Sequence, residues 1–576
     1  MSMPATAPSA PPAPATAGAP SARTLAALAL DLLAEAQSLQ DAALQALARR
    51  CAVDGVVDAA HADAWQPACY ELAWSAAELL AARTGLDGDG PDAAADGLDG
   101  ALALLFAADA LGSVLRRLDG VGLDLGFDRA RWLALAGGAG LQQLRQAVVG
   151  SSSVQALGRA VAGGGEVAEV GAVPLDADVA MAQASFRRFA AEQVAPWAER
   201  IHREDLTVPE ALLQPLREMG VFGLSIPEAH GGSAPEGSGN APMMVAVTEA
   251  LSEASLAAAG SLITRPEILS RALLAGGTPA QQAHWLPRIA RGEPLCAIAI
   301  TEPDAGSDVA ALALRAQRVP GGWRLIGAKT WCTLAGKAGL LMVVARTGDA
   351  AAGHRGLSIL LVEKSAFEGH AFELTQPDGG RLSGRAIPTL GYRGMHSFDL
   401  AFDGFFVPDA ALLGGEAGLG RGFYFTMAGM VGGRLQTAAR ACGVMRAALR
   451  AAVRYSAERR VFGAALADMP LTQAKTARLA AQVAACRRLT YAVARRLEAG
   501  GAPMEASLVK LLACRTAETV TREAMQLHGG MGYAEEMAVS RWFVDARVLS
   551  IFEGAEETLA LKVVARSLLD DALKAG

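Results

Sequence analysis

The hydrophobic pattern of this chain changes its period twice, and that change constrains the fold more than any single motif. Apolar residues recur at helical spacing from residue 23 to 296 and again from 414 to 576. Between these regions, short alternating runs such as "LLMVVART" and "GLSILLVEK" are separated by Gly and Pro turns. Because a helical pattern does not serve as a strand, the sequence predicts a mainly α fold with a small central β domain.

Composition indicates where these regions begin and end. The first 20 residues are Pro/Ala low complexity with nothing to pack, and the Gly-rich stretch "AVAGGGEVAEVGAVP" has the composition of a linker. A chain of 576 residues is also too long for one core. We predict a disordered tail at 1–22, an N-terminal helical extension at 23–160, a linker at 161–175, an N-terminal α domain at 176–296, a β domain at 297–413 and a C-terminal helical domain at 414–576.

The balance of charge argues against a nucleic-acid-binding protein. Lys and Arg number 52 against 59 Asp and Glu, for a net charge of -7, and the basic residues are interspersed. Apolar stretches are interrupted by Gly, Arg or Asp before they reach membrane-spanning length, and residues 1–22 contain no Lys or Arg for a signal segment. We therefore predict a cytoplasmic protein that binds neither nucleic acid nor membrane.

The cysteines do not suggest a metal centre. There are seven, with no CxxC pair and no spacing with His that a metal ion would use. The sequence predicts buried, reduced thiols and no metal site.

Two motifs in the predicted β domain offer polar side chains to a ligand. "TEPDAGSD" (301–308) carries the hydroxyls of Thr301 and Ser307 around a Pro/Gly turn, although an ordinary turn has the same composition. "KTWCT" (329–333) puts Trp331 and Thr333 on one face of a strand, because side chains alternate, although an aromatic residue here usually packs in the core.

Two further motifs lie at the ends of predicted C-terminal helices. "ERRVFG" (458–463) sets two guanidinium groups beside an aromatic ring, which suits phosphate binding or a solvated helix end equally well. "QLHGGMGY" (526–533) ends a helix at two consecutive glycines, where a backbone can approach a ligand closely, whereas a plain helix cap needs one.

The stretch "VLSIFEGAEET" (548–558) holds the strongest candidate for a catalytic group. Glu553 follows Ile551 and Phe552 and precedes Gly554, so it is either the solvated start of a helix or a carboxylate kept out of water. A carboxylate held against an apolar wall is the better proton acceptor for a weak carbon acid.

Taken in order along the chain, these segments resemble the acyl-CoA dehydrogenase family of flavoproteins. The resemblance covers roughly residue 176 to the C-terminus and includes "GYRGMHSFDLAFDGFFVP" and "DARVLSIFEG" as well. It implies an α domain, a β-barrel-like domain and an α four-helix bundle, here with an extra N-terminal helical domain. "TRPEILSRALLAGGT" (264–278), "GGRLQTAARACGVM" and the extension are similar to the branch of the family that acts on methylsuccinyl-CoA.

The resemblance implies FAD as the cofactor. It places Trp331 beside the flavin ring, Thr333 near its N5 atom, Thr301 at the ring and Ser307 at the pantetheine or pyrophosphate. The positions that match contacts to the FAD of a neighbouring subunit are Arg459, Phe462, Gln526, Gly529 and Gly530. A homodimer or homotetramer is therefore expected.

The same resemblance makes Glu553 the catalytic base and Gly554 a backbone donor to the thioester carbonyl. The base would take the α-proton while the β-hydride passes to FAD, and an electron-transfer flavoprotein would accept the electrons. Arg434 matches a substrate-binding position, but Val431 stands where the family usually has an Asp that contacts the pantetheine, and Ala555 replaces a common Thr. Coenzyme A is therefore expected to be held somewhat differently.

The expected substrate is a short branched dicarboxylic acyl-CoA, with (2S)-methylsuccinyl-CoA going to mesaconyl-CoA. Its distal carboxylate must be paired inside the pocket. Arg265 is the candidate partner, with Arg393 next, although a surface Arg before a Pro explains Arg265 equally well. A glutaryl-CoA or branched short-chain acyl-CoA dehydrogenase remains an alternative. A catalytically silent scaffold or nucleic-acid-associated homologue would need a missing base or a basic surface, and the sequence has neither.

Overall fold

A computed structural model describes residues 20–87, 97–126, 128–163, 169–501 and 503–575. The predicted tail therefore lies outside the described residues except at 20–22. The middle of the predicted linker, residues 164–168, lies outside them as well. The fold class is confirmed: the chain is mainly helical with one β domain between helical regions. All seven cysteines are buried and unpaired, as predicted.

The extension begins with a long amphipathic helix. Ser21 caps it, since its hydroxyl accepts a hydrogen bond from the Thr24 amide at 3.1 Å, and buried residues recur every three or four positions along it. The helices are α1 (Ala22–Cys51), α2 (Ala59–Ala64), α3 (Gln66–Asp87), α4 (Gly97–Leu125), α5 (Arg129–Ala136), α6 (Ala139–Val148) and α7 (Ser151–Ala162). A small hairpin of β1 (Ala52–Val53) and β2 (Val56–Val57) follows α1.

The second helical region precedes the β domain. Its helices are α8 (Ala177–Phe189), α9 (Ala195–Arg203), α10 (Glu210–Glu218), α11 (Ala241–Ala254), α12 (Thr264–Gly276) and α13 (Pro279–Ala290). Wider π-helical turns at Ala190–Val194 and Leu256–Gly260 follow α8 and α11. Helix α12 is almost wholly buried, which brings its polar residues into the interior.

The β domain is one eight-stranded sheet. Its strands are β3 (Cys296–Ala299), β4 (Arg315–Val319), β5 (Gly322–Thr333), β6 (Leu340–Arg346), β7 (Leu357–Glu363), β8 (Ala371–Thr375), β9 (Arg381–Ala386) and β10 (Ser397–Pro408). The order is β3-β6-β4-β5-β10-β9-β8, with β7 paired to β6. The pairing of β5 with β10 is antiparallel and has two register shifts, and such bulges bend a strand.

The C-terminal region is built around α14 (Gly422–Glu458), which is 37 residues long. The hairpin of β11 (Arg460–Val461) and β12 (Ala464–Ala465) follows it. The remaining helices are α15 (Pro470–Glu498), α16 (Pro503–Leu527), α17 (Gly530–Tyr533), α18 (Ala538–Leu549), α19 (Glu556–Thr558) and α20 (Arg566–Ala575), with a π-helical turn at Leu559–Ala565. Helices α14, α15, α16 and α18 pack on one another as a bundle.

The extension shares its hydrophobic core with this bundle. Helix α3 packs on α15, α16 and the π-helical turn Leu559–Ala565, while α1 packs on α20. Buried residues of both regions, Leu33 and Leu72 on one side and Leu489 and Leu569 on the other, belong to one continuous cluster. The extension is therefore an added layer of the C-terminal region and not a separate globule.

Helix α4 departs from the prediction about apolar stretches. By length and composition alone it could span a membrane, which the interruptions by Gly, Arg and Asp had seemed to prevent. In the structure, 67% of its most apolar window is buried inside the protein, and a core helix passes the same test. The packing of α4 on α1, α3 and α15 accounts for its composition.

Candidate active site

Glu553 lies in a tight turn between α18 and α19. Its φ angle is +56° and that of Gly554 is +100°, both in the left-handed region that side chains disfavour. A Cβ atom on Gly554 would lie 2.8 Å from Leu559, so glycine is required there. The buried Lys510 ammonium donates a hydrogen bond to the Gly554 carbonyl at 2.7 Å, which fixes the turn against α16.

The turn directs the Glu553 carboxylate onto the face of α14. Only 9% of the side chain is exposed, and its nearest guanidinium is that of Arg440, with Nη2 at 3.5 Å from Oε1. A Cβ on Gly433 would come within 2.8 Å of Oε2, so this glycine makes room for the carboxylate. The expected apolar wall is only partly correct, because Ile551 is 53% exposed. Arg440 and the α14 backbone shield Glu553 instead.

A second buried carboxylate faces the neighbouring position of α14. Glu267, on α12, lies against Gly432, where a Cβ would come within 2.3 Å of its Oε1. Arg271, one turn along α12, donates a hydrogen bond to that oxygen at 2.9 Å. Burial raises the pKa of Glu267, and Oε2 is buried without a partner among the described residues.

Two buried guanidinium groups meet at Ser261 beside this pair of carboxylates. Arg440 Nη1 donates to the Ser261 hydroxyl at 3.3 Å, and Arg265 Nη1 donates to the Ser261 carbonyl at 2.7 Å. Arg440 has no exposed side-chain surface and Arg265 is 6% exposed. Arg265 is thus an interior residue, which removes the alternative of a surface Arg before a Pro.

Aromatic rings close the cluster on its other side. The Arg440 guanidinium lies 4.8 Å from the centre of the Phe552 ring, and Phe552 meets Tyr392 edge to face at 5.4 Å. The Tyr392 hydroxyl accepts a hydrogen bond from Arg265 at 3.3 Å. These contacts join Arg265 to the turn of Glu553 through two rings.

Sequence reasoning missed Glu267 and Arg440. Glu267 stands four residues before Arg271, a spacing that also describes an exposed helical ion pair. Arg440 is a single cation among the small residues of "TAARACG", and the helical pattern gave no reason to place it inside. Its small neighbours are the signal that was available, because small residues on a long helix let other elements approach.

Arg434 and Val431 lie on α14 near the same carboxylates. Arg434 Nη1 donates to the Ser507 hydroxyl of α16 at 3.3 Å, and its Nε is buried without a partner among the described residues. Burial lowers the pKa of Arg434, while the Glu553 carboxylate acts in the opposite direction. Val431 packs as a partly buried apolar side chain.

The predicted cofactor residues of the β domain lie at one end of the sheet. Trp331, near the end of β5, has a φ of +57° and is 55% exposed. Thr333 is buried opposite Ser397 of β10, with 3.1 Å between the two hydroxyl oxygens. The Thr301 carbonyl accepts a hydrogen bond from the Thr330 amide at 2.8 Å, which ties the loop after β3 to β5.

Ser307 connects this loop to the turn of Glu553. The Thr558 hydroxyl, five residues beyond Glu553, donates a hydrogen bond to the exposed Ser307 hydroxyl at 3.0 Å. The structure therefore brings the predicted ligand loop of the β domain and the predicted base into adjacent positions.

The remaining predicted cofactor residues lie at exposed ends of the C-terminal helices. Arg459 caps α14, and Phe462 follows in the β11–β12 turn with its side chain fully exposed and a φ of +51°. Gln526 ends α16 on the surface, and a Cβ on Gly529 or Gly530 would meet nothing within 4 Å. This group presents an aromatic ring, a guanidinium and open backbone outward.

Arg393, the second candidate for a substrate carboxylate, is engaged elsewhere. It donates to the carbonyls of Thr389 at 3.2 Å and His202 at 3.1 Å, and lies 3.5 Å from Asp205. His396 also contacts Asp205, at 3.0 Å.

With His370, the residues Asp205 and His396 form a group of side chains that could hold a metal ion, with ligand atoms within 4.8 Å of one another. The Asp205 carboxylate already contacts Arg393 and His396, and these contacts give it a structural role without a metal ion.

Comparisons with known proteins identify the family. The models for the N-terminal, middle and C-terminal domains of acyl-CoA dehydrogenase match residues 176–293, 297–405 and 420–569. This chain belongs to the acyl-CoA dehydrogenase family, and it is an oxidoreductase of that class. The resemblance read from the short motifs is confirmed.

The chain is also similar to individual relatives and solved structures of this family. The chain is 38% identical over 571 residues to a (2S)-methylsuccinyl-CoA dehydrogenase of Cereibacter sphaeroides, covering 96% of this chain and 100% of that protein. Butyryl-CoA dehydrogenase of Megasphaera elsdenii superposes with a TM-score of 0.63 and 27% identity over 69% of this chain and all of that one. A Mycobacterium smegmatis glutaryl-CoA dehydrogenase in complex with FADH2 superposes with a TM-score of 0.61 and 25% identity, covering 68% of this chain and 95% of that one.

FAD is the cofactor of acyl-CoA dehydrogenases, and the residues of this chain fit it. The exposed indole of Trp331 offers a flat apolar face at the end of the sheet, with hydroxyl oxygens at Thr333 and Ser397 nearby. The open backbone at Gly529 and Gly530 leaves space for a bulky polar group such as a pyrophosphate.

Proposed function

We propose that this acyl-CoA dehydrogenase acts on a short branched dicarboxylic thioester, and specifically converts (2S)-methylsuccinyl-CoA to mesaconyl-CoA. One observation carries the substrate class: the buried guanidinium groups of Arg265 and Arg440 meet at Ser261 next to Glu553. The identity to the Cereibacter sphaeroides relative over nearly the whole chain supports the particular substrate.

The charges beside Glu553 explain why the acyl group of the substrate should carry a carboxylate of its own. Arg440 lies 3.5 Å from Glu553, whereas the hydrogen bonds of Arg265 in the described structure go to two neutral oxygens, a carbonyl and a hydroxyl. A buried guanidinium without a carboxylate is unfavourable. The distal carboxylate of a bound dicarboxylic acyl group would compensate Arg265, and an uncharged acyl group would not.

Glu553 is the proposed catalytic base. Its carboxylate is almost fully buried, yet the nearest guanidinium stands at the outer limit of an ion pair, so lone pairs remain free to accept the α-proton. FAD, when bound, supplies the hydride acceptor. The Gly554 amide is the proposed donor to the thioester carbonyl, where negative charge develops.

A panel of thioesters with two variants tests the substrate class. Under anaerobic conditions we expect methylsuccinyl-CoA to bleach the wild-type flavin faster than glutaryl-CoA or 2-methylbutyryl-CoA. Arg265→Gln should lower kcat/KM for methylsuccinyl-CoA roughly 10- to 100-fold, as expected for a hydrogen bond to a charged group, with a much smaller loss for 2-methylbutyryl-CoA.

Arg271→Gln is the matched control, since Arg271 lies on the same helix but binds Glu267 and the Gly239 carbonyl. We expect it to lower turnover of both thioesters equally. Equal losses in Arg265→Gln, or faster bleaching by the uncharged thioester in the wild type, would overturn the proposed substrate class.

We also propose a homodimer or homotetramer that passes electrons to an electron-transfer flavoprotein. The fully exposed Phe462 ring, in a strained backbone conformation beside Arg459, supports a surface that a neighbouring subunit covers. Light scattering of the wild type and of Phe462→Ser tests this, and a wild-type monomer would contradict it.

A further inference from the structure

The N-terminal extension reaches the turn that carries Glu553. Tyr70, on α3, donates a hydrogen bond from its hydroxyl to Glu556 Oε1 at 2.7 Å. Glu556 is the third residue after Glu553 and the first residue of α19. A residue of the extension therefore contacts the end of the turn through a direct polar bond, across 486 positions of sequence.

Glu556 closes the turn. Its amide donates to the Ser550 carbonyl at 3.1 Å, so that residues 551–555, including Glu553, lie in one backbone loop. The Glu556 side chain is 9% exposed, and it is held from α16 by Arg515, whose Nε donates to Oε2 at 3.1 Å while Nη2 pairs with Oε1. The position of Glu556 therefore sets one end of the loop that carries Glu553.

The extension also holds Arg515 in place. Arg515 Nη2 donates to the Tyr70 hydroxyl at 2.7 Å, and its guanidinium lies 4.3 Å from the centre of the Trp74 ring. Nearly half of the Arg515 side chain is exposed, so without these contacts only its pair with Glu556 would restrict its rotamers. Tyr70 and Trp74, one turn apart on α3, fix it from one side.

We propose that Tyr70 and Trp74 are positioning residues for the catalytic base, acting through the Arg515–Glu556 pair. The inference rests on the proposed role of Glu553 as the base. Lys510 holds the middle of the loop at the Gly554 carbonyl, and the extension holds its end. Because the left-handed backbone conformation of Glu553 is strained, the loop needs both anchors to stay in the productive geometry.

The test compares two extension contacts in the full-length holoenzyme. Tyr70→Phe removes only the hydroxyl that bonds Glu556. Asp109→Asn removes a different contact between the extension and the C-terminal region, the ion pair of Asp109 on α4 with Arg478 on α15 at 3.3 Å. Melting temperature, flavin content, kcat, KM and the isotope effect of α-deuterated methylsuccinyl-CoA are measured for both.

A misplacement of about 1 Å costs on the order of 100-fold. Because Arg515 still holds Glu556 in Tyr70→Phe, we expect a smaller displacement, with kcat falling about tenfold and KM nearly unchanged. The α-deuterium isotope effect should rise, because removal of the proton becomes more rate-limiting. Asp109→Asn should keep both values. Glu556→Gln, which weakens the pair with Arg515, should change kcat and the isotope effect in the same direction as Tyr70→Phe.

Unchanged kcat and isotope effect in Tyr70→Phe would overturn the proposal, as would an equal loss in Asp109→Asn, which would indicate general loosening. Failure of the proposed substrate is a separate result, in which another acyl-CoA bleaches the wild-type flavin faster. The comparison of the variants is then made with that thioester.

Discussion

Two buried carboxylates lie against adjacent glycines of one helix, yet their surroundings differ. Glu267 belongs to a helix, faces Gly432 and receives a hydrogen bond from Arg271 at 2.9 Å. Glu553 belongs to a turn with positive φ angles, faces Gly433 and has its nearest guanidinium at 3.5 Å. Burial is shared by both groups, so burial alone does not identify a base.

The difference lies in what each carboxylate is free to accept. Arg271 stands one turn from Glu267 on the same helix, so that ion pair forms within α12 itself. Glu553 sits on a turn whose backbone is fixed at Gly554 by Lys510, while its own oxygens keep lone pairs available. A turn can aim a side chain at a ligand in a direction that a packed helix does not permit.

The largest expected effect is the difference in turnover between Glu553→Gln and Glu267→Gln. Glu553→Gln should lower kcat by roughly 10²- to 10⁴-fold, the contribution of a positioned general base. Glu267→Gln should change kcat far less, because Arg271 holds one oxygen of its carboxylate and the buried helix α12 fixes its side chain against Gly432. Steady-state kinetics and anaerobic flavin bleaching measure both.

Retained flavin colour in both variants controls for loss of cofactor. A Glu553→Gln enzyme with near-normal turnover, or a Glu267→Gln enzyme with the larger loss, would reverse the assignment of the base.

A smaller effect is expected when a methyl group is added at each glycine of α14. In Gly433→Ala the new Cβ would lie 2.8 Å from Glu553 Oε2 and must displace it, so kcat should fall on the order of 10- to 100-fold. In Gly432→Ala the Cβ displaces Glu267 instead, and turnover should change little. Equal kcat in the two variants would contradict different roles for the two carboxylates.

The smallest effect is expected on the pH dependence of stability. Burial raises the pKa of Glu267 in the folded protein above its unfolded value of about 4.3, so the folded state binds more protons across that interval. The contribution of Glu267 to the free energy of unfolding is therefore lost as pH rises through the raised pKa. Glu267→Gln should gain stability relative to the wild type as pH rises above about 4.3 in urea unfolding. A constant difference would argue against the raised pKa.

The sequence predicted the fold class because the change of hydrophobic period is long and strong. It missed β4, β8 and β9, which are five or six residues long and expose many of their side chains. Because β4 pairs with β5, β9 with β10 and β8 with β9, these strands owe their pairing to their neighbours more than to their own composition. The sharing of one core by the extension and the C-terminal bundle was also not predictable, since a helical pattern does not say what its apolar face meets.

The candidate site was predictable only where its residues stand in recognisable motifs. Glu553, Trp331 and Thr333 lie in such segments, and their roles stay predictions, of which Glu553→Gln tests the first. Arg440 and Glu267 come from helices far apart in sequence, and only their packing brings them to Glu553. Tyr70 was likewise beyond reach, because its partner Glu556 lies near the other end of the chain.

The packing of α1 on α20 has a consequence for how the protein is made. A ribosome synthesises α1 first and α20 last, so the apolar stripe of α1 stays without its final neighbour until translation is almost complete. During that time the part of the stripe that α20 covers stays open to water. Loss of α20 would expose only that part of α1, since α3, α4 and α6 also pack on α1.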